Sequence, residues 1–237
     1  MRSRALSDEG RRLYLSDVGR RRSPNWARRL VYHLFHTEYD DRLYDVVCKC
    51  RQSTQALAAD FCGPDIRERL EAGILHTIRL ILTRDRKRVK KRHVLRSFRF
   101  FRDVMEQAYR YHDHQTAHMM YLALTHPAIA NLNLKIRKKD MELLEHVGQT
   151  YGEPSYAKHV QFWRTVRSDH VLPSLIAFHI YITRRDFMGR HHEADEARNM
   201  MDLFQFLEHD PEDILPLYSQ KKLSDEEMLT LSTKILK

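Results

Sequence analysis

An all-α fold is what this sequence predicts, and three observations carry that reading. Gly and Pro number seven each in 237 residues, too few for the turn-rich punctuation of an all-β chain. Apolar residues recur every three or four positions through most of the chain, whereas the strict alternation of a half-buried strand is scarce. The clearest helical pattern lies at 92–109. There Leu95, Phe98, Phe101, Met105 and Ala108 share one face, and Arg96, Arg99, Arg102, Asp103 and Glu106 fall mainly on the other. A chain of this length can bury a proper core.

The elements follow in order. Residues 1–23 are rich in Arg and Ser and form a peripheral basic segment. Ser23-Pro24-Asn25 marks a helix start, with Trp26, Leu30, Val31, Leu34 and Phe35 as its apolar stripe. A second helix begins near Tyr39-Asp40-Asp41, carries Leu43, Val46, Val47 and Cys50, and runs toward Phe61. Gly63-Pro64-Asp65 breaks it, and Asp65 is placed to cap a third helix bearing Ile66, Leu70, Ile74, Ile78, Ile81 and Leu82. These helices, at 24–90, are expected to pack on a helical core at 91–237, giving a single domain over 24–237.

After the 92–109 helix, His112-Asp113-His114 reads as a polar break. Next come an apolar run (Ala117, Met120, Tyr121, Ala123, Leu124), the interruption His126-Pro127, and a short turn at 128–132. A helix is expected from Lys135 to about Tyr151, another opened by Pro154-Ser155-Tyr156, and a third through the apolar 171–182. Trp163 and Tyr156 sit at core spacing. The last parts are a helix at 194–207, a shorter one started by Asp210-Pro211, and a terminal helix. Ser224-Asp225-Glu226-Glu227 before Met228 and Leu229 fits a capping box for that terminal helix.

Net charge is +9 with His neutral, and the basic residues cluster at 11–29, 84–92 and 135–139. Such runs suit a solvated face, an acidic protein, an anionic membrane surface or the phosphates of nucleic acid, the last being least favoured. Three irregularly spaced cysteines (Cys48, Cys50, Cys62) point to reduced thiols and a cytoplasmic setting. No run of about 18 apolar residues exists to span a membrane. Met1-Arg2-Ser3-Arg4 is followed by no apolar core, so no secretory signal is expected. No phosphate loop, nucleophile motif or paired-carboxylate signature appears, and no cofactor is expected. Fifteen histidines invite a metal reading. The adjacent or i, i+2 sets (His112/His114, His191/His192) point to different faces, and His114/His118 at i, i+4 lack an intervening glutamate, so no metal site is expected.

The order of parts from 92 to 189 resembles the catalytic domain of Ras-type guanine nucleotide exchange factors of the Son-of-sevenless kind. Arg92 matches the arginine that opens a long helix, and His112-Asp113-His114-Gln115 stands where that family has an Asn-rich turn. Residues 117–124 match the next helix, and Ala128-Ile129-Ala130-Asn131-Leu132 the short element after it. Tyr156, His159, Arg164 and Pro173 then fall at the spacing of a family tyrosine–tyrosine–arginine–proline set. The resemblance covers about 100 residues, by pattern more than by identity. It implies a multi-helix core with a projecting helical hairpin, and Arg92, Asp113, Arg164 and Pro173 as its structural support.

The implied activity is release of GDP from a small Ras-superfamily GTPase. In the family the helix after the proline wedges into the nucleotide site and stabilises the nucleotide-free GTPase, without bond chemistry. Carried over, the wedge is 174–188. Its apolar intruder falls at or near Thr183, and its acidic one at Asp186 or Phe187, depending on register; His179, Ile182, Arg184 and Arg185 would contact the GTPase. Departures are visible: Ser174-Leu175-Ile176-Ala177 replaces the family's aromatic-Gly, Arg184-Arg185 adds two cations, and the return arm at 191–198 looks short. Two other functions fit the composition. One is an interaction module of the same fold that binds without accelerating exchange, and the other is a basic bundle for nucleic acid or membrane. The wedge reading requires 174–189 to start buried and end exposed, with Leu95, Phe98, Phe101, Met105, Leu122, Leu124, Phe162 and Leu172 in the core.

Overall fold

The computed structural model describes residues 26–83, 89–152, 156–165, 171–202 and 224–236, and every regular element among them is a helix. The chain divides into two compact units, 1–42 and 43–237. The start signal at Ser23-Pro24-Asn25, the apolar stripe of the first helix, residues 203–207 of the helix expected at 194–207 and the Asp210-Pro211 helix lie outside the described backbone or side chains.

Helix α1, Trp26–Ala59, is one continuous run of 34 residues where two helices were expected. No Gly or Pro stands between His36 and Asp41, so nothing there forces a break. Leu43, Val47, Cys50, Thr54 and Leu57 form a buried stripe from 43 onward at alternating three- and four-residue steps, widened near the end by Ser53, Ala56 and Ala58. Gly63 closes the turn that follows by donating to Asp60 O at 3.0 Å. Helix α2, Ile66–Leu82, buries Ile66, Leu70, Ile78, Ile81 and Leu82 as expected, with Ile74 half-buried. Asp65 occupies the N-cap position, yet its side chain makes no capping bond, so that part of the expectation fails.

Helix α3, Lys91–Arg110, buries Val94, Phe98, Arg102, Val104, Met105 and Ala108. Its inward face is rotated from the expected one: Leu95 and Phe101 are half-buried, and Arg102 points inward. The rotation follows from an ion cluster. Arg102 lies 2.7 Å from Asp103, 2.8 Å from Glu106 and 3.1 Å from Asp140, whose carboxylate is also held by Arg137 at 2.8 Å. Desolvation pushes the Asp140 carboxyl up, but the bond from Arg137 and the charge of Arg102 outweigh it, and the group sits below the ordinary carboxylate range.

Helix α4, His114–Thr125, is the centre of the molecule from 43 onward. It packs against α2, α3, the short α5 (Pro127–Ala130), α6 (Lys138–Tyr151) and α8 (Leu175–Phe187). Residues from His114 to Met120 are buried without a break, the pattern of a helix surrounded on all sides. This corrects the reading of its start as a polar break. Leu124 is buried and Leu122 half-buried. Helix α7, Tyr156–Thr165, turns His159, Val160 and Trp163 inward and leaves Phe162 45% exposed, so Phe162 is not a core residue; His159 takes the inward position instead. Helix α9, His191–Asp202, packs on α8, and α10, Asp225–Leu236, packs on α2 and α5. The capping box forms: Ser224 N–H donates to Glu227 Oε2 at 2.8 Å, and Glu227 N–H to Ser224 Oγ at 3.2 Å. No described helix is long and apolar enough to cross a membrane.

Candidate functional site: a helical hairpin with a buried root

Helices α8 and α9 form a hairpin whose two ends differ in exposure. Leu175, Ala177 and Phe178 are fully enclosed, Tyr181 and Ile182 are 7% exposed, and Phe187 at the far end is 93% exposed. Thr183, Arg184, Met188, Gly189 and Arg190 also reach solvent. The turn is a Schellman motif: Arg190 N–H donates to Arg185 O at 2.8 Å and Gly189 N–H to Asp186 O at 3.0 Å, with Gly189 at φ +71°. Only a residue without a Cβ takes that conformation readily.

The expected wedge residues divide into three groups. Thr183 and Phe187 are exposed, with the Thr183 hydroxyl bonded back to His179 O at 2.8 Å. Asp186 is half-exposed but engaged: Arg198 donates to its Oδ2, and His191 Nδ1 lies 3.3 Å from its Oδ1. Slight desolvation pushes this carboxyl up, but the bonds from His191 and Arg198 prevail and hold it below the ordinary range. Ile182 is buried on the face shared with Leu175 and Phe178, so it cannot serve as a GTPase contact from the free surface.

The expected flanking cations are partly occupied. Arg185 Nε is 3.1 Å from Glu193 and its guanidinium lies over the Tyr181 ring at 4.8 Å. Arg184 reaches over the Tyr156 ring at 5.9 Å. His179 is half-buried, and desolvation, with Arg67 adding to it against Glu71, lowers its pKa.

The supporting residues also divide. Asp113 is buried, caps α4 by accepting from Thr116 N–H at 3.0 Å and Thr116 Oγ1 at 2.7 Å, and forms a bridge with Leu172. Burial raises its pKa, with the Thr116 bonds and Arg51 pulling the other way. Two backbone bonds frame the bridge: His114 N–H to Leu172 O and Leu172 N–H to His112 O, each 2.9 Å. Pro173 is buried directly after it. Arg92, by contrast, is exposed and its Nε lies 3.4 Å from the adjacent His93, so the inward arginine of α3 is Arg102. The Arg164 side chain lies outside the described residues.

What the sequence reading missed is the polar cluster beneath the root. His114, His118 and His159 are buried around Tyr151: His118 stacks on its ring at 4.6 Å, and His114 Nδ1 lies 2.7 Å from its hydroxyl. Burial drives all three histidines down, His114 to about 4 with His112 adding, His118 to about 3 with His159 adding, and His159 to about 3 with His114 adding. They are neutral at pH 7. Among the described residues no three His, Cys, Asp or Glu side chains are arranged to hold a metal ion. No protein-family model matches the chain, and neither does any curated protein.

Proposed function

We propose that the protein is a guanine nucleotide exchange factor for a small Ras-superfamily GTPase, and that the α8–α9 hairpin is its wedge. The observation that supports this most is the gradient along α8, from an enclosed Leu175 to a Phe187 that is 93% exposed. Phe187 is a large aromatic held in solvent by a helix rooted in the core, with Met188 exposed beside it, and aromatics are favoured anchors at interfaces. The wedge reading further draws on the family pattern from 92 to 189. Mechanistically, the hairpin would lower nucleotide affinity by binding the nucleotide-free GTPase better than the loaded one.

A second reading has its own observation. Asp186 is the carboxylate expected to repel phosphate, and it is ion-paired with Arg198 and lies within hydrogen-bond distance of His191. A hairpin so paired suits a module that binds a GTPase without accelerating release. Release of a fluorescent guanine nucleotide from Ras-, Rap-, Ral- and Rab-type GTPases separates the two. Exchange activity predicts faster release with at least one of them, and loss of the effect in Phe187→Ala. Binding without acceleration selects the module, and neither binding nor acceleration removes both.

A further inference from the structure

The first turn of a helix presents N–H groups that have no partner within the helix. At the root of α8, side chains take up three of them. Ser174 N–H donates to His159 Nε2, Ile176 N–H to Gln115 Oε1 and Ala177 N–H to Ser174 Oγ, each at 3.2 Å. Ser174 Oγ lies in turn 2.7 Å from His118 Nδ1. His159 comes from α7, while Gln115 and His118 come from one face of α4. Thus the hairpin is tied by polar groups to two other helices at the point where it leaves the core.

The chemistry of these ties restricts their protonation. His159 Nε2 accepts an N–H and therefore carries no proton. Ser174 Oγ accepts from Ala177 N–H and keeps its own hydrogen for His118 Nδ1 in the tautomer whose ring proton sits on Nε2; the neutral ring satisfies the hydroxyl in either tautomer. His118 Nε2 has no hydrogen-bond partner among the described residues, so nothing there stabilises the imidazolium. A cation would also face the positive end of the α8 dipole.

We infer that Gln115, His118 and His159 are positioning residues for the hairpin, Gln115 and His159 holding its root as acceptors and His118 as a neutral partner of Ser174, and that acid releases the root from α4 and α7. The inference rests on the exchange-factor reading only for its functional consequence. The groups around the latch favour the neutral state. Asp113, His114 and Tyr151 face it from the α4 cap, α4 and α6, and Cys50 lies beyond Asp113 on α1. Of these only Asp113 is a carboxyl, and burial raises its pKa. Arg67 and Glu71 of α2 face His179 farther along α8, and Arg185 and Glu193 pair toward the tip.

Depressed pKa values fix the direction: a released root, with histidines near 6.5, takes up protons before the latched one does. Below pH 6.5 each histidine favours release by up to about tenfold per pH unit, until its latched pKa is reached. The pair together gives up to about a hundredfold per pH unit.

Amide hydrogen exchange on the full chain tests this, with rates corrected for their intrinsic pH dependence and α3 amides as the internal reference. At pH 7, Gln115→Leu should speed exchange at Ile176 about two- to tenfold while α3 is unchanged. From pH 7 to pH 5 the wild-type root amides (Ser174, Ile176, Ala177) should lose protection faster than α3. His159→Gln keeps an acceptor that does not titrate, and it should reduce that acid loss. Root and α3 amides losing protection in parallel, in both wild type and His159→Gln, would overturn the latch; so would a folded Gln115→Leu with unchanged Ile176 exchange. If Gln115→Leu does not fold, the comparison of wild type with His159→Gln decides alone. With a responsive GTPase, stimulated nucleotide release should fall in acid for wild type and less for His159→Gln. If no GTPase responds, the exchange-factor reading fails, and the amide data still decide whether the latch exists.

Discussion

At the scale of single residues, two helix ends use the same motif with different residues. Helix α8 closes on Gly189 at φ +71°, and α3 closes on His112 at φ 56°. His112 N–H donates to Tyr109 O at 3.2 Å and Asp113 N–H to Ala108 O at 2.9 Å, the same paired bonds as at Gly189. A residue with a Cβ in the left-handed region costs about 1–2 kcal/mol. His112→Gly should therefore raise stability by about 1 kcal/mol, and Gly189→Ala, where no atom obstructs the added Cβ, should lower it by about the same. Urea midpoints of the two variants check both signs. A destabilised His112→Gly would mean that the exposed imidazole, whose ring lies 6.2 Å from His114, contributes more than the backbone strain removes.

Phe187 and Asp186 make a second contrast at this scale. Phe187 touches little that matters for folding, so Phe187→Ala should shift stability by less than about 0.5 kcal/mol while abolishing most of any stimulated GDP release. Asp186→Ala breaks the ties to the half-exposed Arg198 and the exposed His191, which are of small energetic weight. If the exchange reading holds, its effect should appear in nucleotide release more than in unfolding. Equal loss of stability and activity in both variants would make the hairpin tip structural.

Among whole elements, α3 shows what periodicity can locate and what it cannot. The pattern of Phe98, Met105 and Ala108 identified the helix and most of its inward face. It placed Arg102 outside, because a count of polarity does not know that Asp140 waits on α6, 38 positions along the chain. Phe98 is 1% exposed, so Phe98→Ala should cost about 3–5 kcal/mol. Phe101 is half-buried, and its truncation should cost about 1–2 kcal/mol. Near-equal losses would restore the original assignment of faces. Arg102→Ala leaves Asp140 buried with Arg137 alone, and should cost about 3 kcal/mol. Recovery in the double variant Arg102→Ala/Asp140→Ala, measured as a coupling energy, would confirm the pair as its source.

Helix α4 was harder to read for the same reason. Gln115, Thr116 and His118 look like a solvent-facing run, yet each has a partner on a distant element: Ile176 N–H, Thr54 and Ser174. The terminal capping box was legible because both of its partners lie within four consecutive residues. Likewise the hairpin's gradient was legible in the apolar run at 171–182 followed by Thr183-Arg184-Arg185, whereas the neutralisation of Asp186 depends on Arg198 across the hairpin.

For the molecule as a whole, the buried histidines set the response to acid. His114, His118 and His159 have folded pKa values of about 4, 3 and 3, against about 6.5 in an unfolded chain. Above pH 6.5 both states hold these rings neutral, and they contribute nothing to the pH dependence. Below it the unfolded chain binds protons that the folded one refuses, so stability falls with pH until the folded values are reached. At pH 5 each ring costs about 2 kcal/mol, or up to about 6 kcal/mol for the three, a large part of the roughly 5–15 kcal/mol that holds an ordinary domain together. Carboxylates do not explain a loss in that window. Asp140 and Asp186 have lowered pKa values, so their contributions are present at pH 5 and above and are lost only in stronger acid. Asp113, raised by burial, is protonated earlier in the folded state than in the unfolded one and therefore opposes the loss. The urea midpoint should accordingly fall steeply between pH 6.5 and pH 5 at constant ionic strength. His159→Gln should flatten that slope by up to about one third, since it removes one of the three buried rings while His179, also lowered, still titrates in the same window. A midpoint unchanged from pH 7 to pH 5 would mean that the rings accept protons without leaving the core, and the neutral cluster beneath the hairpin would have to be abandoned.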